Sequence, residues 1–320
     1  MSKENNFEIN GKVIPPGTNE VVPLNVARLP SGTVISLRLM VYRSKNPGPT
    51  ALIIGGVHGD EINGVEIVRK SIVRKYFENL KAGTVIAVPL LNVYGFINFS
   101  RDASEGKDVN RSFPGNKNGS LASRVANAVT KVILPLVDFG MDFHTGGSSR
   151  YNYPQIRYTT DDKKAEEIAE AFAAPYLIRK KNTSNTLRKT SHSMKIPIVV
   201  YEGGESLRFD GYSIERALSG MLRVLKSKGM IEEAPEALSK SLTFNRSSWV
   251  RANRSGIFEW MQESGGKVNV GEILGMIRDP YGESEVVVKA NRTGYIIGHN
   301  NAPVVSQGDA LFHIGYDLEE

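Results

Sequence analysis

Two histidines and one glutamate have the residue types and the spacing that bind a divalent metal ion. His58 and Glu61 stand three residues apart in the segment GGVHGDE at 55–61, between an apolar run and a helical pattern. An imidazole nitrogen and a carboxylate oxygen, joined by a second histidine, form a three-ligand zinc site that leaves one position open for water. Because the chain contains no Cys, a transition-metal site has to be built from His, Asp and Glu.

The second histidine of this predicted site is His144, in the segment MDFHTGG at 141–147. It also ends an apolar run, and Asp142 stands two residues earlier, where a carboxylate can orient a metal-binding imidazole. The alternative is that His58 and His144 are capping or core residues. Two of the five histidines stand in glycine-rich turns where strands are predicted to end, and this favours the metal site.

Such residues need strands that end at one edge of a sheet. From about residue 50, apolar runs alternate with segments of helical periodicity. Strands are predicted at 51–57, 84–88, 140–144 and 196–201, and helices at 65–77 and 121–134. The pattern indicates an α/β fold with a mixed or parallel sheet that helices cover on both faces. Turn signals and period-two alternation predict an antiparallel β segment at 7–45.

The C-terminal part of the chain has a different pattern. After a linker at 232–236, short strands separated by glycine-containing turns predict a compact all-β domain. We therefore divide the chain into a catalytic domain at 1–240 and a β domain at 245–320. The β domain resembles the barrel-sandwich hybrid of lipoyl and biotinyl domains, but the neighbours of Lys289 are not those of a carrier lysine. His299 and His313 are assigned to its strands and turns rather than to a metal site.

Composition bounds the class of protein. The 320 residues carry a formal net charge of +6 and are 40% hydrophobic, which is enough for a sizeable core and excludes general disorder. A charge of this size without a basic, aromatic-rich tract does not predict a nucleic-acid partner. The first residues lack a signal-peptide pattern, and no apolar run reaches the roughly 18 residues that span a bilayer. We expect a cytoplasmic protein with no membrane partner.

Three spaced segments carry a resemblance to a known family. The sequences GVHGDE at 56–61, DVNRSFPG at 108–115 and DFHTG at 142–146 resemble the succinylglutamate desuccinylase/aspartoacylase family, relatives of the zinc carboxypeptidases, and the similarity covers about residues 10 to 235. The resemblance implies a zinc carboxypeptidase-like mixed sheet flanked by helices. It also implies one Zn²⁺ per chain, held by His58, Glu61 and His144. In such proteins a similar C-terminal module would border the mouth of the active site or form a homo-oligomer contact.

The resemblance also implies roles for four further residues. Asn110 and Arg111 would bind the substrate carboxylate, for which a guanidinium offers two parallel hydrogen bonds, or polar groups next to it. Arg101 would stabilise the oxyanion that develops at the attacked carbonyl. Glu202, which ends the apolar run 196–201, would accept the proton of the attacking water and return it to the leaving amine. The alternatives are a solvated loop around Asn110 and a surface position for Glu202, with Glu205 as a rival base.

The predicted activity is zinc-dependent hydrolysis of the amide bond of a small N-acyl amino acid or a related N-acyl amine. Two alternatives stay open: a metallocarboxypeptidase that acts on peptides, and a non-catalytic binding protein of the same fold. The segment 179–195 contains six Lys or Arg residues and no acidic residue. It is either a rim that attracts an anionic substrate or a solvated basic loop.

Overall fold

A computed structural model describes residues 7–319 of the chain. The N-terminal hexapeptide, on which the expectation of a chain without a signal peptide partly depends, lies outside the described residues. The strands of the N-terminal and central parts are β1 (Phe7–Ile9), β2 (Lys12–Ile14), β3 (Asn19–Arg28), β4 (Val34–Arg43), β5 (Thr50–Gly55), β6 (Thr84–Val88), β7 (Phe139–Gly146), β8 (Arg150–Thr159), β9 (Tyr176–Lys180) and β10 (Ile198–Glu205). The helices are α1 (Ile62–Val73), α2 (Val93–Ile97), α3 (Leu121–Ala128), α4 (Lys163–Phe172), α5 (Leu187–Ser193) and α6 (Gly211–Ser227).

The C-terminal part contributes eight strands. They are β11 (Leu242–Arg251), β12 (Gly256–Trp260), β13 (Lys267–Val268), β14 (Ile273–Arg278), β15 (Glu285–Lys289), β16 (Gly294–Asn300), β17 (Val304–Val305) and β18 (Ala310–Leu318). No helix interrupts residues 242–318, all of which are described. The predicted all-β character of this part is therefore confirmed.

A mixed sheet of twelve strands forms the centre of the protein, in the order β13-β16-β18-β11-β9-β8-β10-β7-β5-β6-β4-β3. Strands β6, β5, β7 and β10 are mutually parallel, and β4 and β8 flank them in antiparallel orientation. Every residue of β5, β6 and β7 is buried, as expected for parallel strands that are covered on both faces. This arrangement confirms the predicted α/β fold and places the C-terminal ends of β5, β7 and β10 at one edge.

Helices cover both faces of this sheet. Helices α3 and α5 contribute to one apolar cluster, and α1, α4 and α6 contribute to the other. The observed helices depart from the predicted bounds at two places. Helix α1 runs from Ile62 to Val73. It begins earlier than predicted because its first turn is buried through Asn63 and Gly64, which are polar or small and do not extend the apolar stripe. The predicted helix 121–134 is α-helical only to Ala128 and continues as a π turn and a 3-10 turn.

The C-terminal strands form a sandwich joined to the central sheet. A four-stranded sheet, β15-β14-β12-β17, shares an apolar core with β11, β16 and β18 of the large sheet. Strand β11 pairs in parallel with β9, and β16 pairs with the first residues of β8. The sheet therefore runs without interruption past the linker, and the division at 240 and 245 stays a prediction. Within residues 7–319 we find no helix long and apolar enough to cross a membrane.

Candidate active site

The three predicted metal ligands meet at the C-terminal edge of the parallel strands. His58 lies in the turn after β5, Glu61 directly precedes α1, and His144 lies in β7; all three are buried. Helix α1 can pack directly on β7 because Gly64 has no side chain: a Cβ there would lie 2.2 Å from the carbonyl oxygen of Phe143. This close approach brings the first turn of α1 over the residue that follows Phe143.

The ligand atoms of these residues are close enough to share one ion. The Nδ1 atom of His58 lies 2.7 Å from Oε1 of Glu61, and Nδ1 of His144 lies 2.8 Å from Oε2 of the same carboxylate. The two Nδ1 atoms are 3.2 Å apart. One ligand atom from each residue can be chosen so that all three lie within 4.8 Å of one another. The structure therefore brings together the three side chains that the sequence singled out.

The chemistry of the donor set fits a cation. Nε2 of His58 lies 3.1 Å from Oδ1 of Asp108, and Nε2 of His144 lies 2.8 Å from Oδ2 of Asp142. When each Nε2 donates its hydrogen to its carboxylate, as in metal-bound histidines, the Nδ1 lone pair of each ring faces the other ring and Glu61. In that state the lone pairs of two nitrogens and a carboxylate converge on one point, so these residues could hold a divalent ion.

The electrostatics of the cluster agree with this conclusion. Burial raises the pKa of Glu61, but the neighbouring His58 and His144 lower it by more, so its pKa lies well below the usual range. Burial lowers the pKa of His144, whereas Asp142 and Glu61 raise it by more, so its pKa lies well above the usual value. Three acidic side chains thus surround two imidazoles, and the site attracts positive charge.

Glu202 lies next to the metal cluster, on β10. Its Cα is paired with that of His144 on β7, and the residue is 9% exposed. Both of its neighbouring pairings shift register just after Glu202, where Gly204 adopts a φ of 81°. Such a bulge redirects side chains and commonly stands beside active sites. In the sequence, the glycine pair that follows Glu202 is the one signal of this bulge.

Both carboxylate oxygens of Glu202 accept hydrogen bonds. Asn152 donates from Nδ2 to Oε2 at 2.8 Å, and Arg157 donates from Nη1 to Oε1 at 2.8 Å. Glu205, the rival base, instead accepts a hydrogen bond of 2.6 Å from Nδ2 of Asn301. Glu202 lines the central cavity with His58 and His144, which supports the choice of Glu202.

Arg101 lies against the metal cluster. It donates from Nη1 to Oε1 of Glu61 at 3.1 Å and from Nη2 to Oδ2 of Asp108 at 2.9 Å. Its side chain is 35% exposed, so the guanidinium also faces the cavity that it lines. Asp108, which contacts both Arg101 and His58, was not singled out from the sequence, although it begins the DVNRSFPG segment at 108–115.

Asn110 and Arg111 also line the cavity. The side-chain oxygen of Asn110 accepts a hydrogen bond of 2.9 Å from the backbone nitrogen of Leu187, the first residue of α5. This bond holds α5 at the edge of the site and leaves the Nδ2 group of Asn110 free to donate. Arg111 donates to the backbone oxygen of Asn110 and extends into the solvent-exposed part of the cavity.

The cavity has a volume of about 240 Å³ and a strongly basic lining. Five arginines line it: Arg101, Arg111, Arg150, Arg157 and Arg188. Among the described residues, Nε of Arg150 and Nη1 of Arg188 are buried without a hydrogen-bond partner. Burial, with Arg157 nearby, lowers the pKa of Arg188 to about 10. The C-terminal part adds Trp249 to the lining, a residue for which the sequence offered no signal.

The basic segment 179–195 is mostly regular structure. It contains the end of β9 and the whole of α5. Arg179 forms ion pairs with Glu166 and Glu319, while Lys189 is exposed. Of its six basic side chains, Arg188 is the one that lines the cavity.

Comparison with known proteins assigns the chain to a family. The sheet, the His–Glu–His cluster at its strand ends and the adjacent glutamate define a metallohydrolase-like α/β site. Residues 47–227 match the Succinylglutamate desuccinylase/Aspartoacylase catalytic domain. The protein belongs to the succinylglutamate desuccinylase/aspartoacylase family, which confirms the resemblance found in the sequence.

Three similar proteins illustrate the extent of the similarity. N-alpha-acetyl-L-2,4-diaminobutyric acid deacetylase of Halomonas elongata is 29% identical over 298 residues, covering 86% of this chain and 84% of the relative. The crystal structure of a succinylglutamate desuccinylase/aspartoacylase from Rhodobacter sphaeroides is 26% identical, with a TM-score of 0.84, and the match covers 94% of this chain and 95% of that one. The fold also matches the product-bound Ectoine utilization protein EutE (DoeB) from Ruegeria pomeroyi, with a TM-score of 0.85, 24% identity and coverage of 94% and 95%.

Proposed function

We propose that the protein is a zinc-dependent deacylase that hydrolyses the amide bond of a small N-acyl amino acid. The observation that carries the proposal is the single cavity in which the His58–Glu61–His144 cluster, Glu202 and five arginines meet. The relative from Halomonas elongata supports it, because its name describes the deacetylation of an N-acetyl amino acid.

A zinc ion held by His58, Glu61 and His144 would supply a Lewis acid for the scissile carbonyl and a water of lowered pKa. Glu202 then accepts one proton from the attacking water as oxygen bonds to the carbonyl carbon. It returns that proton to the amide nitrogen as the C–N bond breaks. The products are the carboxylic acid of the acyl group and the free amine. Arg101 stabilises the negative charge that develops on the carbonyl oxygen.

The basic lining points to a carboxylate on the substrate. Asn110 and Arg111 would bind the α-carboxylate of the amino acid, since an amide donor and a guanidinium together direct a planar anion. Their placement beside α5 also puts Arg188 within the same part of the cavity. An N-acyl amine without a carboxylate would leave these cations unpaired, which disfavours such a substrate.

The cavity also bears on the two alternatives. A volume of about 240 Å³ suits a small molecule better than several residues of a peptide, which favours a deacylase over a carboxypeptidase. The chain retains three ligands and an adjacent base with both oxygens hydrogen-bonded, which argues against a binding protein that has lost its activity.

The proposal is tested by metal analysis coupled to a substrate screen. The purified protein would be stripped of metal and reloaded with one equivalent of zinc. It would then be assayed against N-acetyl amino acids, N-succinyl amino acids and peptides with a free C-terminus. We expect zinc-dependent release of free amine from one of the first two groups. Hydrolysis confined to peptides would favour the carboxypeptidase, and zinc binding without any turnover would favour the binding protein.

A further inference from the structure

Asn152 stands where the catalytic sheet meets the C-terminal strands. Its Cα is paired with Gly204 on β10 and, on the other side of β8, with Gly298 on β16. The residue is 6% exposed. Strand β8 therefore connects the β10 bulge that follows Glu202 to a strand of the C-terminal module.

The side chain of Asn152 is fixed on both sides. Its Nδ2 group donates to Oε2 of Glu202 at 2.8 Å, and this orientation of the amide is required because a carboxylate can only accept. On the opposite side, a Cβ placed on Gly298 would lie 2.8 Å from Oδ1 of Asn152 and 2.8 Å from the backbone oxygen of Tyr151. The absence of a side chain at Gly298 lets β16 lie directly against the amide.

We infer that Asn152 is a positioning residue for Glu202, and that strand β16 of the C-terminal module holds Asn152 in place. The inference rests on the proposed function, in which Glu202 moves the proton. It gives the C-terminal module a part in catalysis that neither the family assignment nor the metal cluster supplies.

The effect of such positioning falls on the chemical step. With Oε1 held by Arg157 and Oε2 by Asn152, the Glu202 carboxylate cannot turn about its last bond. Removal of the Asn152 donor leaves one oxygen without its hydrogen bond and lets the carboxylate rotate. Asn152 lines the cavity but makes no hydrogen bond to the metal ligands, so zinc binding does not depend on it directly.

The first test is the pair of variants Asn152→Leu and Asn152→Asp, both close to Asn in size. In the zinc-loaded enzyme we expect kcat to fall by about 10- to 100-fold, the range expected when a catalytic group is misplaced by a fraction of an ångström or more. The zinc content should match that of the wild type, and KM should change less than kcat, because a misplaced base acts on the chemical step. A role limited to folding would instead lower the melting temperature and leave the kcat of the folded fraction unchanged.

The second test substitutes the strand behind Asn152. Gly298→Ala should also lower kcat, because the added methyl group has to displace either the side-chain amide of Asn152 or the β8 backbone. Gly266→Ala is the matched control in the same module, where the nearest atom to a new Cβ is the backbone oxygen of Glu263 at 3.6 Å. We expect Gly266→Ala to match the wild type.

The double variant Asn152→Leu with Gly298→Ala separates coupling from independent damage. If β16 acts through Asn152, the double variant should have nearly the same kcat as Asn152→Leu alone. If the two substitutions act independently, the fold-decreases in kcat of the single variants should multiply. Multiplying effects, or an unchanged kcat in Asn152→Leu, would overturn the inference.

A structural readout keeps the inference separate from the proposed function. In a crystal structure of the zinc-loaded Asn152→Leu protein, we expect the Glu202 carboxylate to leave its wild-type position, and a carboxylate that stays in place would overturn the inference whatever the activity. Full turnover in Glu202→Gln would instead contradict the proposed role of Glu202.

Discussion

The Nδ1 atoms of His58 and His144 lie 3.2 Å apart, and each ring directs its Nε2 to a different carboxylate. Two imidazole lone pairs this close repel one another unless a proton or a cation lies between them. The carboxylate of Glu61 faces the same point, so the arrangement has more acceptors than donors. A divalent ion bound at this point would remove the imbalance, and its loss should therefore be measurable as a loss of stability.

Metal removal should destabilise the protein. At a free zinc concentration 1,000 times the Kd, binding to the folded state alone adds about 4 kcal/mol to the free energy of unfolding. We expect chelation to lower the melting temperature, and one equivalent of zinc to restore it. Melting curves and metal analysis of the wild type and His144→Ala check this.

The control for metal removal is His192→Ala. His192 pairs with Asp162 at the surface, away from the cluster, so this variant should respond to zinc as the wild type does. If His144→Ala still bound one zinc ion and gained the same stability from it, the assignment of the ligands would be wrong.

Replacement of Glu202 should abolish turnover while the metal stays bound. Glu202→Gln keeps the hydrogen bond from Arg157 but cannot accept the water proton, and we expect kcat to fall by about 100- to 10,000-fold. The zinc content should be unchanged, because Glu202 is not a ligand. Glu205→Gln is the matched control on the same strand and should keep its kcat. If Glu205→Gln lost its kcat and Glu202→Gln kept it, Glu205 would be the base.

Arg188 and Lys189 stand side by side on α5 but have different surroundings. Arg188 lines the cavity and Nη1 lacks a partner, whereas Lys189 is exposed. If Arg188 pairs with an anionic substrate, Arg188→Gln should raise KM by about 10-fold or more, as for the loss of a hydrogen bond between charged groups.

The adjacent variant Lys189→Gln tests whether the effect is local. We expect KM within about twofold of the wild type at 0.15 M salt, where exposed charges are largely screened. If both variants raised KM equally and added salt abolished the increase, the substrate would be attracted by the summed positive charge of segment 179–195.

The sequence was sufficient to predict features that depend on local pattern. His58, Glu61 and His144 each end or follow an apolar run, and the α/β alternation predicts that such runs end at one edge of a sheet. Glu202 could be predicted in the same way. The family resemblance then added Arg101, Asn110 and Arg111, all of which line the cavity.

Features that depend on contacts between distant segments could not be predicted. Asn152 reaches Glu202 only because β8 lies between β10 and β16, and Trp249 enters the cavity only because β11 pairs with β9. No periodicity or spacing in the chain reports these pairings. The same holds for Gly298, whose role appears only when the strand behind it is known.

His299 should make the stability of the protein depend on pH. Burial lowers the pKa of His299 to about 4, and its ring packs among Tyr151, Trp260 and Phe312 while Nδ1 contacts Oγ of Ser264. In the unfolded chain an imidazole has a pKa of about 6.5, so between these two values the unfolded state binds more protons. The contribution of neutral His299 is therefore fully present above pH 6.5 and is lost as the pH falls towards 4.

The variant His299→Gln removes this titration. Between pH 7 and pH 4.5 the wild type should lose about 2 to 3 kcal/mol more unfolding free energy than the variant, at about 1.4 kcal/mol per pKa unit. Urea unfolding of the metal-free proteins at both pH values measures the difference, since release of zinc at low pH would add a separate loss. If the wild type and His299→Gln lost the same unfolding free energy between pH 7 and pH 4.5, the ring would be already protonated, or accessible to water, in the folded protein.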